Sequence, residues 1–343
     1  MSIHRICIIG RFDEWHVGAH LLTASNQLRL TAEILDVQKA WSSNQWVNRI
    51  FFHLGRHHPA RLRQFDADAE SVCRKFKPQL LLVTGISPPG AGALQKIGKL
   101  GVCRCNFLTD DPWNSKNGAG FFLKSLRHYD LVYSPRRSNL ADLLQVGCQQ
   151  VEYLPFGYNQ ELHFPELPQT PMERERFACD VAFVGCADYD RIPMALALVQ
   201  AGLRVNLYGA YWDRYAKLRS HWKGLVFGRE LRLAVGGATV NICLGRKANR
   251  DGHAMRSLEL PAMGACLLVE DTLEHRELFG DAGDCVEYYL GLDELVVKSK
   301  ALCAQPERAR ALGGKVFQHI CQKNRHTYAD RLQTILDGVS ICK

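Results

Sequence analysis

Two carboxylates and a glycine turn form the part of the sequence best suited to chemistry. Asp251 and Glu259 lie eight residues apart, and Gly252 directly follows the first of them. The turn follows a predicted strand and opens a predicted helix, so it would leave backbone N–H groups and the positive end of a helix dipole where a diphosphate can bind. The spacing can place one acid beside a sugar and the other, about two helical turns on, beside a ribose.

Neither standard phosphate-binding motif occurs in the sequence. The turn after the first predicted strand runs from Gly10 to Trp15, and the corresponding turn of the second half runs from Gly185 to Asp190. Neither turn has the glycine spacing of a dinucleotide-binding fingerprint, and there is no Walker A lysine loop. Classic NAD binding and P-loop chemistry are therefore disfavoured.

Short apolar runs alternate with helix-length segments along the whole chain, which is typical of parallel α/β sheets. The predicted strands of the first half are Arg5–Ile9, Ile34–Val37, Leu80–Thr84, Cys103–Leu108, Leu131–Tyr133 and Val151–Leu154. Those of the second half are Asp180–Gly185, Arg204–Tyr208, Thr239–Leu244, Cys266–Val269 and Cys285–Tyr288. The predicted helices begin near Gly18 or cover Ala60–Phe76, Asn139–Val146 and a long tail, Pro306–Asp337. We expect two Rossmann-like domains whose parallel sheets face a central cleft.

A proline-rich stretch separates the two halves. Pro165, Pro168 and Pro171 lie in a segment with few aliphatic residues, which is typical of an interdomain linker. We expect an N-terminal domain over residues 1–160, a linker over 161–177 and a C-terminal domain over 178–325. Residues 326–343 are expected to form a helix that packs back toward the N-terminal domain.

The composition is that of a folded, soluble chain. Of the 343 residues, 47% are hydrophobic and 23% are charged, which excludes disordered and fibrous classes. The 13 cysteines are scattered and form no disulfide or zinc-binding pattern, so we expect a cytoplasmic protein. The first apolar run, Ile6–Ile9, is too short for a signal peptide, and no later run is long enough to span a membrane.

The net charge of +8 is spread over both halves of the chain. The densest basic patch comprises Arg56, His57, His58, Arg61 and Arg63. It is interpreted as a solvated helix start, as a peripheral contact with an anionic membrane, or as a contact with an acidic substrate. No basic stripe interleaved with aromatic residues is evident, so nucleic acid is not an expected partner.

Six motifs together resemble one known family. They are Asp251–Ala265 with the strand that follows it, Thr109–Trp113, Tyr153–Tyr158, Asp180–Gly185 with Arg191, Tyr208–Trp212, and His326–Arg331. In this order and spacing they resemble the CgeB-like branch, named after a spore maturation protein, of the retaining GT-B glycosyltransferases (group 1, family 4-like). The resemblance covers roughly residues 80–335.

The resemblance implies the GT-B fold and a metal-independent transfer of a sugar with retention of the anomeric configuration. The donor would be a UDP-, GDP- or dTDP-linked sugar on the C-terminal domain, with no further cofactor. The acceptor, on the N-terminal domain, would be a glycan, a lipid or a small molecule. The resemblance places Glu259 on the ribose, Asp251 on hydroxyls of the sugar, and the amides of Gly252–Ala254 near the phosphates.

The remaining donor contacts follow the same resemblance. Arg191, which follows the Gly185 turn, falls where such enzymes carry a cation for the diphosphate, and Lys247 or Arg246 can serve instead. Arg256 is interpreted either as a substrate contact or as the partner of a neighbouring acid.

The other candidates concern catalysis and loop shape. Asp110 takes the place of a histidine found in many relatives, and is either catalytic or a turn former. His253 is a further catalytic candidate. Gly10 and Gly18 are expected to shape a loop that faces the donor. Asp251 itself departs from the usual Glu, which leaves the identity of the donor open.

Two other functions are compatible with the same sequence. The fold can persist in a non-catalytic structural or coat-associated protein, for which the Asp251 carboxylate would be dispensable. A sugar-nucleotide epimerase of similar architecture would convert its nucleotide sugar without an acceptor.

Overall fold

A computed structural model describes residues 3–42, 44, 46, 57–114 and 118–341. The strands are β1 Arg5–Gly10, β2 Thr31–Asp36, β3 Leu80–Thr84, β4 Cys103–Phe107, β5 Leu131–Ser134, β6 Val151–Tyr153, β7 Cys179–Val184, β8 Val205–Tyr208, β9 Ala238–Cys243, β10 Leu267–Glu270 and β11 Glu287–Tyr289. The α-helices are α1 Val17–Gln27, α2 Leu62–Phe76, α3 Ala91–Lys99, α4 Gly120–Leu126, α5 Leu140–Gln145, α6 Pro171–Phe177, α7 Arg191–Gln200, α8 Gly228–Gly236, α9 Arg256–Ala262, α10 Leu273–Phe279, α11 Gly291–Cys303, α12 Pro306–Phe317 and α13 Tyr328–Ile341.

The chain divides into two compact units. The first comprises Met1–Pro155, Ala248–Arg250 and Tyr328–Lys343, and the second comprises Phe156–Lys247 and Asp251–Thr327. The segment predicted as a linker contains α6, which begins with a capping box between Thr170 and Glu173.

A six-stranded parallel sheet organises the first unit, in the order β2-β1-β3-β4-β5-β6. Ile8 of β1 pairs with Ile34 on one side and with Leu82 on the other. The residues of Ile6–Ile9 are fully buried, as expected for a central strand covered on both faces. The edge strand β2 begins at Thr31, before its predicted start, because its exposed first residues interrupt the apolar pattern.

A five-stranded parallel sheet organises the second unit, in the order β11-β10-β9-β7-β8. The chain leaves β7 toward β8 and later returns to the other side of β7 as β9. The carboxyl ends of β7 and β9 therefore flank a topological switch point, where open α/β sheets bind their ligands. All eleven predicted strands are present.

The predicted helical tail, Pro306–Asp337, is helical but interrupted. It consists of α12, a π-helical stretch over Gln318–Lys323 and α13. The interruption lies where the Tyr158 N–H donates to the His326 carbonyl at 3.1 Å and Tyr158 forms a parallel bridge with Thr327. An extended pairing of this kind is incompatible with a continuous helix at that point.

Candidate functional site

The turn after β7 carries a buried arginine at the switch point of the second unit. Arg191 Nη1 donates to the Cys186 carbonyl at 3.0 Å and lies 3.3 Å from Asp188 Oδ2. Its side chain packs on Gly185, where an added Cβ would lie 2.9 Å from Nη1. Gly185 therefore leaves room for the guanidinium.

Three arginines lie close together at this switch point. Burial lowers the pKa of Arg191, and the charges of Arg246 and Arg256 act in the same direction, while Asp188 opposes them. Arg246 Nε also lies 3.8 Å from Asp188 Oδ2. We call Arg191, Arg246 and Arg256 the arginine cluster. Mutual repulsion among cations favours a bound anion.

The loop after β9 closes on itself through Asp251. The Asp251 carboxylate accepts from the Arg246 N–H at 3.0 Å, and the Asp251 N–H donates to the Arg246 carbonyl at 3.3 Å. The Lys247 N–H donates to Asp190 Oδ2 at 3.3 Å, which ties this loop to the turn after β7. The side chain of Asp251 is therefore held at the carboxyl end of β9, as the ligand-site prediction requires.

Glu259 is buried and forms an ion pair within the protein. Its carboxylate forms an ion pair with Arg256 Nη1, and its Oε1 lies 3.9 Å from His163 Nε2. His163 Nδ1 accepts from the Asn159 N–H at 3.1 Å, so the neutral ring carries its proton on Nε2, toward Glu259. Burial lowers the pKa of His163, which favours this neutral form.

His163 is a site residue that no pattern in the sequence indicates. It lies in the segment predicted as a linker, within no recognisable motif. Its proximity to Glu259 arises only from the folding of the chain, so spacing along the sequence gives no signal for it.

The glycine turn is arranged differently from the predicted phosphate cradle. The Ala254 N–H donates to Ser257 Oγ at 3.0 Å, so this amide is already satisfied within the protein. A Cβ on Gly252 would overlap the Glu274 carboxylate, so a larger residue there would have to displace this side chain. Gly252 thus allows the Glu274 side chain to pack closely against the turn. The sequence predicted instead that the amides of this turn would be exposed to a phosphate.

His253 lies in the interior of the second unit. Its side chain is fully buried, and its Nε2 lies 3.4 Å from the Phe156 N–H, which donates to it. The two rings meet edge to face at 5.7 Å between centroids. The structure gives His253 a packing contact, and we assign it no catalytic step.

The candidate residues of the first unit have structural partners. Asp110 Oδ1 accepts from Asn249 Nδ2 at 3.1 Å. A Cβ on Gly10 would lie 2.3 Å from Thr84 Oγ1, and one on Gly18 would lie 2.4 Å from the Arg11 carbonyl. Both glycines therefore permit close packing around the turn after β1.

Asp111 next to Asp110 forms the stronger contact. Its carboxylate accepts from Arg250 at 2.6 and 3.1 Å, and Arg250 also pairs with Asp142 at 2.7 Å. Asp111 Oδ1 further accepts from the Trp113 N–H at 2.9 Å. The Asp110–Asp111 turn thus anchors the short segment that precedes Asp251.

The loop after β8 exposes aromatic and basic side chains on the surface of the second unit. It is closed by the Gly209 N–H, which donates to the Gly224 carbonyl at 2.9 Å. Its exposed side chains alternate between aromatic and basic types: Tyr211, Arg214, Tyr215, Lys217, Arg219, Trp222, Lys223 and Phe227. The loop thus exposes several basic and aromatic side chains, and the expectation that nucleic acid is not a partner stays a prediction.

The described part of the chain has neither a group of side chains placed to hold a metal ion nor a helix able to cross a membrane. Within residues 3–42, 44, 46, 57–114 and 118–341, no group of three His, Cys, Asp or Glu side chains is placed to hold a metal ion. Over the same residues, no helix has the length and apolar character needed to cross a membrane.

Comparison with known proteins defines the class of fold. Residues 192–337 match the family described as glycosyl transferase-like. The glycosyltransferase from Rickettsia africae shares 11% identity and a TM-score of 0.64, with 99% of each chain covered. Two Rossmann-like units with parallel sheets, matched over whole chains in this way, define the GT-B fold, and the predicted fold class is confirmed.

Other solved structures share this fold. HepE from Anabaena, solved with UDP-glucose, shares 12% identity over 98% of this chain and 99% of its own, with a TM-score of 0.59. A protein assigned as a UDP-N-acetylglucosamine 2-epimerase from Listeria monocytogenes shares 13% identity over 97% and 95%, with a TM-score of 0.55. Among curated proteins, no sequence matches the chain. The protein thus has the GT-B fold, and residues 192–337 of its second half are similar to a glycosyl transferase-like family.

Proposed function

We propose that the protein transfers a sugar from a UDP-, GDP- or dTDP-linked donor to a hydroxyl group of an acceptor, with retention and without a metal ion. The observation that carries this proposal is the arginine cluster at the switch point between β7 and β9, where Arg191 and Arg246 lie 3.3 and 3.8 Å from the same Asp188 oxygen. Fixed cations at that position would stabilise the charge that develops on the departing diphosphate. The CgeB-like branch of the family remains part of this proposal.

The donor would displace one existing contact. Glu259 would accept from a ribose hydroxyl at the carboxylate oxygen that Arg256 now contacts. We propose that Arg256 turns toward the diphosphate when the donor binds, which exchanges one anionic partner for another. Asp251 would then accept from hydroxyls of the transferred sugar, held by its bond from the Arg246 N–H.

The chemical step would need no side-chain nucleophile. The bond between the anomeric carbon and the diphosphate oxygen breaks as the acceptor oxygen attacks the same face of the sugar. The acceptor proton passes to the leaving phosphate. The arginine cluster is the group of this chain that would meet the growing negative charge.

Nucleotide binding gives the first test. We expect UDP, GDP or dTDP to raise the melting temperature, since a ligand at about 100 times its Kd adds about 2.7 kcal/mol of stability. The measurement is a thermal-shift series without added metal, with CMP as a monophosphate control. No shift with any of the diphosphates at saturation would refute the donor site.

An epimerase is the second candidate, because a protein assigned as one shares the fold along nearly its whole length. An epimerase would convert the stabilising nucleotide sugar into an isomer of equal mass without an acceptor. A transferase would instead release the free nucleotide and require an acceptor. Mass spectrometry of the donor with and without candidate acceptors separates the two activities.

The membrane contact also remains a proposal. Arg56 of the basic patch lies outside the described residues. His57 Nδ1 lies 2.7 Å from the Gly118 carbonyl, so this ring is engaged within the protein, whereas Arg61 and Arg63 are exposed.

Replacing both exposed arginines tests that contact. We expect Arg61→Gln with Arg63→Gln to weaken binding to vesicles of phosphatidylcholine and phosphatidylglycerol by about 2 kcal/mol, roughly thirtyfold. Cosedimentation measures the effect, and Arg308→Gln with Arg310→Gln removes the same charge elsewhere as a control. Equal binding of both double variants would exclude the patch.

A further inference from the structure

A buried serine and histidine lie behind the glycine turn, and the proposed donor contacts use neither of them. Ser257 of α9 and His275 of α10 are both fully buried. Ser257 Oγ lies 2.8 Å from His275 Nε2. A contact of this length between two helices fixes one against the other.

The direction of each hydrogen bond in this pair can be assigned. His275 Nδ1 lies 2.8 Å from the Glu270 carbonyl, which can only accept, so Nδ1 carries a proton. Burial lowers the pKa of His275 to about 4, so the ring is neutral near pH 7 and its Nε2 accepts. Ser257 therefore donates its hydroxyl proton to Nε2, and its oxygen accepts from the Ala254 N–H.

The turn is held at a second point by the start of α10. The Thr272 hydroxyl donates to the Gly252 carbonyl, and the same oxygen accepts from the His275 N–H at 3.1 Å. The Glu274 carboxylate fills the space beside Gly252 that a side chain would need. Gly252 is thus bonded directly to the start of α10, the helix that follows strand β10, and Ala254 is connected to the same helix through Ser257.

A catalytic role for the pair is excluded by its surroundings. A serine beside a histidine is the usual arrangement of a nucleophile and its base. Here, however, the hydroxyl is fully buried, its proton is donated to His275, and its oxygen accepts from Ala254. Among the described residues, Ser257 is enclosed completely, which argues against attack by its oxygen on a substrate.

We propose that Ser257 and His275 are positioning residues, which hold the main chain of Gly252–Ala254 in the conformation that presents Asp251 to the donor. This inference rests on the proposed function for its effect on ligand binding, but not for its effect on the turn itself. Without the pair, the turn would sample other conformations, and the donor would have to select the competent one.

The test compares Ser257→Ala with Ser299→Ala, using UDP as the probe. Ser299 is also a fully buried serine of the second unit, and its hydroxyl makes no hydrogen bond with described residues. We expect Ser257→Ala to speed hydrogen exchange of the Ala254 amide and to weaken UDP binding about tenfold by calorimetry. Ser299→Ala should change neither quantity.

The possible outcomes separate this inference from the proposed function. Unchanged exchange at Ala254 in Ser257→Ala would overturn the positioning role, as would an unchanged affinity for UDP where the wild type binds it. If the wild type binds no nucleotide, the donor site fails, and the exchange measurement alone decides on the pair. If Ser257→Ala does not fold, His275→Gln replaces it, with an amide oxygen as a substitute acceptor and a smaller expected effect on the same two readouts.

Discussion

Replacing Asp251 by Asn is expected to lower donor turnover about 100-fold while the protein stays folded. The loss corresponds to about 3 kcal/mol, the value of a charged hydrogen bond that strengthens in the transition state. The fold should survive because the Asn carbonyl oxygen can still accept from the Arg246 N–H, as the carboxylate does at 3.0 Å. Turnover is measured as release of the free nucleotide from the donor that gives the largest thermal shift.

The control for this prediction is Asp180→Asn. Asp180 lies near the start of β7 and pairs with Arg204 at 2.7 Å. This is the end of the strand opposite to the Gly185 turn, where no proposed donor contact lies. Full activity in Asp251→Asn, with Asp180→Asn also active, would favour an enzyme that does not use this loop. A wild type without any turnover but with nucleotide bound would favour the non-catalytic alternative.

The structure explains why Asp251 and Glu259 differ in their environment although one motif carries both. Asp251 lies in the loop, where its carboxylate accepts from the Arg246 main-chain amide. Glu259 lies on α9, buried against Arg256 and near His163. One acid is thus held by the main chain of its own loop, whereas the other is paired with a charged side chain.

The strands and the switch point could be predicted because they depend on local pattern. A central parallel strand is buried on both faces, so β3 is a continuous apolar run that the sequence displays directly. The end of such a run also predicts where a ligand loop begins, which is how Gly185 and Asp251 were placed. The bounds of edge strands and of helices are predicted less exactly, because their residues alternate between buried and exposed positions and interrupt the apolar pattern.

The partners of the site residues could not be predicted in the same way. Ser257 and His275 are 18 residues apart and meet only because β10 places α10 beside the glycine turn. The sequence shows a histidine and a serine of no special spacing. Similarly, the amide of Ala254 was expected to face a phosphate, since a sequence gives no sign that a hydroxyl three residues on will accept from it.

The stability of the protein is expected to fall by about 3 kcal/mol between pH 6.5 and pH 4 because of His275 alone. Burial holds the pKa of this histidine at about 4 in the folded state, below its ordinary value of 6.5. Above pH 6.5 the ring is neutral in both the folded and the unfolded chain, and it contributes no slope. Between these values the unfolded chain binds a proton that the folded chain does not, so acidification favours unfolding.

The polar groups around His275 oppose the lowering of its pKa but do not reverse it. The Glu270 carbonyl and the Asp271 carboxylate both act to raise the pKa of His275, but burial outweighs them. Urea unfolding at several pH values measures the slope, and comparison with His275→Gln removes the contribution of the other titrating groups. The variant should lose the extra slope below pH 6.5, while Ser299→Ala should keep it with a constant offset. A variant whose pH profile parallels that of the wild type would show that His275 takes up its proton in the folded state as readily as in the unfolded chain.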